Sequence, residues 1–167
     1  MKKLNLLKTI VDYVWFMSLI VYPLIIIVAI MFLIDKDSIG LPIKISGNEI
    51  ALDTLYGKIA LLISLANFGI ILFALFNFRK LMSNFKNRLI FETESYLLLN
   101  KIGHLIIYSS FIYLISEIFA RFSKNMVAVE FGFGPFVYLL ALGLFFVVLS
   151  EVFKIGKRIK EENELTI

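Results

Sequence analysis

The sequence predicts an all-α, polytopic membrane protein with four transmembrane helices, N- and C-termini in the cytoplasm, and a small extracytoplasmic β-hairpin between helices 1 and 2. The first observation behind this fold class is composition. Apolar residues make up 60% of the chain and the mean hydropathy is +0.90, whereas soluble domains hold about 45–50% apolar residues. The second observation is the length of the apolar runs, and the third is the distribution of lysine and arginine.

Four segments are long and apolar enough to cross a hydrocarbon core about 30 Å thick, namely 13–34, 58–78, 102–120 and 135–153. The first two contain charge-free runs of 22 and 20 residues. The third is free of charge as far as Ser116, and the fourth starts at a proline, which suits the first turn of a helix. With a cytoplasmic tail, 154–167, these spans form a single domain.

The basic residues predict the orientation of the chain. Of the 17 lysines and arginines, 12 lie in the N-terminal head, in the loop between helices 2 and 3 (the middle loop) and in the tail, and 5 lie in the other two loops. This bias places both termini and the middle loop in the cytoplasm. The net charge of +4 is explained by topology and by attraction to anionic lipid. Because the basic residues are spread over three segments, no direct nucleic-acid binding is expected.

Residues 1–12 place Leu4, Leu7 and Val11 on one helical face, which predicts a short helix on the cytoplasmic surface before the first span. Lys2 and Lys3 resemble the start of a signal peptide. The apolar stretch after them is too long, however, and ends in IDKDS without a cleavage site, so it is expected to remain as the first helix. Pro23 removes a backbone donor in that helix, which predicts a kink.

The outer loop contains the segment LPIKISGNEIAL, in which Ile43 and Ile45 alternate with polar residues before Gly47-Asn48. This pattern predicts the β-hairpin. An isolated hairpin is marginally stable, so it must pack on the helix ends or on the second outer loop. A folded connector is favoured over a cap or a sensor of an external ligand.

The middle loop runs from Arg79 to Lys101. Its first half is expected to continue helix 2, and Thr93-Glu94-Ser95 predicts the start of helix 3, with acid in its first turn. The loop carries much apolar surface for a cytoplasmic segment: Leu81, Met82, Phe85, Leu89, Ile90 and Phe91. Placement in the membrane interface beside basic residues is favoured, and a docking surface for a partner is the alternative.

Two polar residues inside the spans are candidates for function, Asn67 and Glu117. An amide in lipid needs a hydrogen-bond partner, so Asn67 is expected to face the bundle and meet Ser109, Ser110 or a neighbouring chain, in a structural role. Glu117 is the leading candidate for handling a proton or a substrate. Against this, Arg121 lies one turn further on and predicts an ordinary ion pair.

Chemistry-bearing motifs are missing from the sequence. It has no cysteine, so thiolate metal sites and cysteine nucleophiles are excluded, and its one histidine, His104, cannot form a metal site alone. No HExxH, GxSxG, glycine-rich phosphate loop or pair of intramembrane aspartates occurs. The sequence therefore predicts neither an enzyme nor a bound cofactor or metal.

Two segments carry a resemblance, NRLIFETESYLLLNKIGHLIIY (87–108) and GLFFVVLSEVFKIGKRIKEENELTI (143–167). They resemble the DUF2975 family of small bacterial four-helix membrane proteins, whose biochemistry is uncharacterised. The resemblance implies a multi-pass protein of the bacterial plasma membrane, and a cytoplasmic partner such as a helix-turn-helix regulator, which similar proteins often have as a gene neighbour. The family-like motif comprises Glu151, Phe153, Gly156, Glu161, Glu162, Leu165, Thr166 and Ile167.

This motif is physically suited to docking. Helix 4 is expected to continue past Phe153, with pairs Lys157/Glu161 and Arg158/Glu162 along it. Leu165 and Ile167 would then offer an apolar end to a partner. Alternatively the tail folds back, and Phe85, Leu89 or Phe91 of the middle loop buries Ile167.

The function predicted from the sequence is that of a non-enzymatic regulatory or interaction protein in the lipid bilayer. A small transporter or channel subunit working as a homo-oligomer, and a structural membrane protein, remain as alternatives.

Overall fold

The computed structural model describes residues 2–34, 44–45, 48–124 and 134–165, and for 44–45 and 48–49 only the backbone. Its four helices are α1 Lys2–Ile34, α2 Leu55–Lys86, α3 Thr93–Ser123 and α4 Pro135–Glu164. Each is long and apolar enough to cross a membrane. The chain is therefore a multi-pass membrane protein, and each predicted span lies inside one of these helices.

The N-terminal residues differ from the prediction of a separate surface helix. From Lys2 onwards they form the first turns of α1 itself. The reason is local, because no glycine or proline interrupts the chain before Pro23, so the helix propagates without a break. Val11 is buried, whereas Leu7 is exposed. Pro23 lies inside α1, and the kink expected there stays a prediction.

Between α1 and α2, two short strands pair antiparallel. They are β1 Lys44–Ile45 and β2 Asn48–Glu49, with Lys44 opposite Glu49 and Ile45 opposite Asn48. Residues 41–43 and 46–47 of the predicted hairpin lie outside the described residues.

The chain that follows β2 packs on helix ends. Ile50 and Leu52 are buried in a cluster with Ala29 and Phe32 of α1. The backbone N–H of Ala51 donates to Ser123 Oγ at 3.2 Å. The connector is thereby attached to the ends of both α1 and α3.

The helices are arranged antiparallel in chain order, so that α1 packs on α2, α2 on α3 and α3 on α4. The ends at which α1 and α3 begin and α2 and α4 finish lie together, and we call this side the tail end. Arg79 Nε and Asp12 Oδ1, 2.6 Å apart, join α1 to α2 there. Asp12 directly precedes the charge-free run of the first predicted span, and Arg79 directly follows that of the second.

The contact between α2 and α3 is a seam of buried residues at intervals of seven, most of them small. The α2 side presents Ala60, Asn67, Ala74 and Leu81, and the α3 side presents Ser95, Ile102, Ser109, Ser116 and Ser123, all of them buried. A spacing of seven keeps one face of each helix against the other, and small side chains let the backbones approach. The seam is joined across by Ser64 Oγ and Ser116 Oγ, 2.5 Å apart.

The contact between α3 and α4 is centred on two facing glycines. A Cβ atom on Gly103 would lie 2.8 Å from the carbonyl oxygen of Gly143, and one on Gly143 would lie 2.9 Å from that of Gly103. Towards the tail end, Ser150 Oγ donates to the carbonyl oxygen of Tyr96 at 2.8 Å. Absence of side chains at the crossing lets α4 lie close along α3, and this fixes the direction in which α4 leaves the bundle.

Candidate interaction site at the junction of the tail and the middle loop

The C-terminal part of α4 continues well past the predicted end of its span at Phe153, up to Glu164. This confirms the expectation that helix 4 extends beyond the span. No proline occurs in that part, and Gly156 is its one glycine. The tail is therefore a helix and has a defined face towards the middle loop.

The middle loop reverses the chain by a tight helix-terminating turn. The N–H of Arg88 donates to the carbonyl of Phe85 at 3.1 Å, and the N–H of Leu89 donates to that of Asn84 at 2.9 Å. This pair of bonds is the Schellman pattern, in which glycine usually takes the left-handed position. Here Arg88 occupies it, with φ of 63°, at a cost of about 1–2 kcal/mol.

The start of α3 closes the other side of the loop. The helix begins at Thr93 with Glu94 in its first turn, as predicted. Ser95 Oγ donates to the carbonyl oxygen of Leu89 at 2.6 Å, and Asn84 Nδ2 donates to Glu94 Oε2 at 3.0 Å. These bonds hold both flanks of the loop, so the residues between them have fixed positions.

The aromatic contact between loop and tail is made by Phe91. Its ring lies where a side chain of Gly156 would be, since a Cβ atom there would come within 2.6 Å of Phe91 Cδ1. Phe153 packs beside it in a tilted arrangement, with ring centroids 5.5 Å apart, and stacks on Phe85 at 5.6 Å. Such aromatic pairs contribute about 0.5–1.5 kcal/mol beyond the area they bury. Glycine at position 156 is what leaves room for the ring.

Two lysines of the tail add polar contacts on the same face. Lys157 Nζ donates to Thr93 Oγ1 at 2.6 Å, and Lys160 Nζ donates to Glu92 Oε1 at 2.8 Å. The hydrogen bond and charge of Lys160 lower the pKa of Glu92, and those of Glu92 raise the pKa of Lys160. Because both groups are exposed and screened by salt, they set the orientation of the tail more than the stability of the protein.

The glutamates of the family-like motif are exposed. Glu151 is exposed and lies 3.6 Å from Lys154, and Glu161 lies 3.2 Å from Lys157, which confirms that predicted pair. Glu162 is exposed, and its pairing with Arg158 stays a prediction.

The end of the motif is open as far as it is described. Leu165 is 88% exposed. Thr166 and Ile167 lie outside the described residues, so burial of Ile167 by the loop stays a prediction. Phe85 and Phe91, which one of the two alternatives placed against Ile167, both contact Phe153.

The tip of the middle loop presents apolar side chains outwards. Leu89, Ile90 and Phe91 are 43%, 38% and 41% exposed, close in sequence to Lys86 and Arg88. Both sequence interpretations, an interfacial segment and a docking surface, fit this exposure.

Glu117 has the partner that its spacing predicted. Its Oε1 lies 2.7 Å from Nη2 of Arg121, four residues on. The carboxylate is therefore held in an ion pair at the end of α3 opposite the tail end.

Asn67 is buried in the bundle, as predicted, but a hydrogen bond with Ser109, one of its expected partners, is not formed. Asn67 Oδ1 and Ser109 Oγ are buried and have no hydrogen-bond partner among the described residues. Ser116 Oγ contacts both Ser64 Oγ at 2.5 Å and the carbonyl oxygen of Ala60 at 3.1 Å, a register that sets Asn67 and Ser109 within about one helical turn of each other along the seam. Ser110 Oγ is engaged with the carbonyl oxygen of Ile107.

The part of the chain that the structure describes shows no metal-ligand cluster. No group of three His, Cys, Asp or Glu residues is placed to hold a metal within 2–34, 50–124 and 134–165. His104 is exposed, with Nδ1 2.9 Å from the carbonyl oxygen of Asn100. A cavity of about 250 Å³ between α2, α3 and α4 is lined by apolar side chains, with Ile102 and Ile106 on its α3 wall.

Comparison with known proteins identifies a family. The model of a family described as a protein of unknown function, DUF2975, matches residues 4–167. No curated protein and no solved structure matches the chain.

Proposed function

The chain belongs to the DUF2975 family, and from that premise we propose that it is a non-enzymatic regulatory protein whose α4 tail binds a cytoplasmic protein, such as a helix-turn-helix regulator. The observation that supports this most directly is that the tail is anchored on one face and exposed at its end. One face is held by the middle loop through Phe91 and Gly156, and the last turn, with Glu161, Glu162 and Leu165, is exposed.

The proposal places the tail end in the cytoplasm and the protein in a bacterial plasma membrane. The charge distribution supports the side, because the tail-end segments hold 12 of the 17 basic residues. A cytoplasmic partner would then meet the tail and the middle loop on the same surface.

The physical form of the tail favours recognition by a folded partner. The helix is already ordered and anchored, so binding would cost little further conformational entropy. Its last turn carries Glu161, Glu162 and Glu164 beside an apolar Leu165. A groove with basic walls and an apolar pocket is complementary to this end.

The non-enzymatic part of the proposal rests on chemistry. The sequence lacks a nucleophile motif and has a single histidine, and Glu117 is engaged by Arg121. Charged groups that serve an ion pair at a helix end are ordinary structural features.

A small transporter or channel subunit is the alternative function. It is supported by the unpaired Asn67 Oδ1 and Ser109 Oγ inside the spans, since buried polar atoms in a membrane often mark a pathway. The variant Glu117→Gln separates the two functions. If the protein is a proton-coupled carrier, this variant should lose proton flux into vesicles loaded with a pH-sensitive dye. If it is a docking protein, the variant should still bind its partner.

Deletion of residues 161–167 from the full chain tests the proposal. The truncation keeps Lys160 and its contact with Glu92, so the remaining tail stays anchored. After cross-linking in cells, a cytoplasmic regulator should co-purify with the intact chain and with the control variant Tyr138→Ala, at the exposed other end of α4, but not with the truncated chain. An unchanged set of co-purifying proteins would overturn the proposed function.

A further inference from the structure

Three aromatic rings lie together on the surface of α1 and α2 near the tail end. The rings of Phe73 and Phe76 are stacked, with centroids 6.5 Å apart, and the ring of Trp15 lies against Phe76 at 5.3 Å. Phe73 is 46% exposed, and Trp15 and Phe76 are partly exposed. All three belong to the predicted spans 13–34 and 58–78, so these rings face the lipid leaflet on the tail-end side.

Two lysines place their ammonium groups over these rings. Lys80 Nζ lies 4.7 Å from the ring centroid of Phe76, and Lys101 Nζ lies 4.7 Å from that of Phe73. Lys80 follows the span of α2 by two residues, and Lys101 directly precedes the span of α3. Two positive charges from different helices therefore lie on adjacent rings at the boundary of the membrane. We call the two lysines and the three rings the lysine–aromatic site.

Lys80 turns its ammonium group towards the span. Phe76, over which the group lies, precedes Lys80 by one helical turn and is inside the predicted span. A lysine at a membrane boundary usually extends its ammonium group away from hydrocarbon, towards water. An ammonium group at the level of Phe76 is favoured where an anion meets it at that level.

The protein does not balance the positive charge of this site. Neither lysine forms an ion pair within the part of the chain that the structure describes. The carboxylates that flank the site in the sequence have other partners. Asp12 pairs with Arg79, and Glu94 accepts a hydrogen bond from Asn84. A ring face attracts a cation through its quadrupole but adds no net negative charge, so an anion from the leaflet is needed to balance the site.

We propose that the lysine–aromatic site binds the phosphodiester headgroup of an anionic phospholipid in the leaflet on the tail-end side. Ammonium groups donate strong hydrogen bonds to phosphate oxygens, and basic sites between transmembrane helices suit lipid headgroups. With the phosphate at Lys80 and Lys101, the acyl chains extend over the exposed ring of Phe73 towards the centre of the bilayer. Trp15 suits this boundary, because an indole places its ring in lipid and its N–H at the headgroups. The lipid site does not depend on the partner proposed for the tail.

Quenching of tryptophan fluorescence tests the site, because Trp15 is the single tryptophan of the chain. The full chain is reconstituted in phosphatidylcholine vesicles that contain increasing fractions of a lipid with brominated acyl chains, either phosphatidylglycerol or phosphatidylcholine. Bromine quenches only fluorophores close to it, so comparison of the two series measures the preference of the site for the anionic lipid. The wild-type chain should prefer phosphatidylglycerol at least about tenfold.

Paired substitutions separate the site from the general charge of the protein. Lys80→Gln combined with Lys101→Gln should abolish the preference, and Lys80→Arg combined with Lys101→Arg should retain it. The matched control is Lys86→Gln combined with Lys154→Gln, which removes the same charge from two exposed tail-end lysines and should also retain it. Circular dichroism of each variant checks that the helices are intact.

Equal quenching of the wild-type chain by the two brominated lipids would overturn the proposal. An equal loss of preference in both glutamine variants would also overturn it, because the effect would then follow net charge alone. Inorganic phosphate should leave the preference unchanged relative to sodium chloride of the same ionic strength. Displacement of the lipid by inorganic phosphate would identify a site for soluble anions and contradict the assignment to a phospholipid.

Discussion

The ring of Phe91 occupies the space beside Gly156 that a side chain would fill, with 2.6 Å between Phe91 Cδ1 and the position of the missing Cβ atom. This relationship joins two segments that are far apart in the sequence. It fixes the direction of the α4 tail, because the same helix face carries Phe153 and Lys160, which also contact the loop region.

Replacement Gly156→Ala should fail to give the usual gain in helix stability. Alanine in place of glycine within a helix normally stabilises by about 1 kcal/mol. Here the added methyl group displaces the Phe91 ring, which offsets that gain. In the background of Phe91→Ala the same change should stabilise the protein by about 1 kcal/mol. Thermal unfolding of the four variants in detergent measures the coupling, and identical effects in both backgrounds would refute the contact.

Acid should loosen the tail, and Glu92 should be responsible. The pKa of Glu92 is lower in the folded protein than its ordinary value of 4.5. The ionised Glu92 therefore stabilises the contact with Lys160 fully at a pH above its ordinary pKa. This stabilisation is lost as the pH falls through the lowered pKa. The pKa of Lys160 is raised. The charged lysine therefore stabilises the same contact fully at a pH below its ordinary pKa, and this stabilisation is lost only as the pH rises through the raised pKa.

A spin label on the tail measures this dependence. Label mobility should be constant around neutral pH and increase in acid. In the variant Glu92→Gln the label should be mobile at neutral pH already, with a smaller change in acid. The same acid transition in wild type and Glu92→Gln would show that another group controls it.

A larger side chain at the crossing of α3 and α4 should destabilise the protein. A Cβ atom at Gly143 would lie 2.9 Å from the carbonyl oxygen of Gly103, and a backbone atom cannot move aside as a side chain does. Gly143→Val should therefore destabilise the protein by about 1–3 kcal/mol. The matched control is Ala66→Val, at an exposed position of α2, which should change stability little. Unfolding in mixed micelles compares the two, and equal losses would argue against close packing at Gly143.

Removing the amide of Asn67 should be harmless to folding. Its Oδ1 is buried and has no hydrogen-bond partner among the residues that the structure describes, and such an atom costs about 1–3 kcal/mol. Asn67→Leu should leave stability unchanged or increase it. Asn77→Leu serves as the control and should destabilise, because Asn77 Nδ2 donates to the carbonyl oxygen of Phe73 at 2.6 Å. A clear loss of stability for Asn67→Leu would indicate a partner for that amide.

The helices could be predicted from the sequence because their signals are local. Each signal depends only on neighbouring residues: the charge-free run after Asp12, the charge-free run before Arg79, the proline at the start of α4 and the acidic residue at the start of α3. The seam of α3 serines was missed although its spacing of seven, from Ser109 to Ser123, is visible in the sequence. Each serine alone gives no sign of a seam, and only their common spacing does.

A tail folded back on the middle loop was one of two alternatives that the sequence left open, but the residues of the contact could not be predicted, because they lie in distant segments. Gly156 indicates a weak point of a helix when considered alone, and nothing near it points to Phe91. The turn at Arg88 is similar, since glycine or asparagine is the usual residue in a left-handed position, and Asn87 lies directly beside it. Tertiary packing decided both.

Photo-cross-linking from position 165 tests most directly whether the open end of α4 binds a cytoplasmic partner. Leu165 and the control position Tyr138, at the other end of α4, are 88% and 67% exposed. A photoreactive residue at 165 should give an adduct with a cytoplasmic protein in cells, which is absent from position 138 and lost with Glu161→Lys combined with Glu162→Lys. The same adducts from both positions, or adducts with lipid alone, would contradict a partner-binding tail.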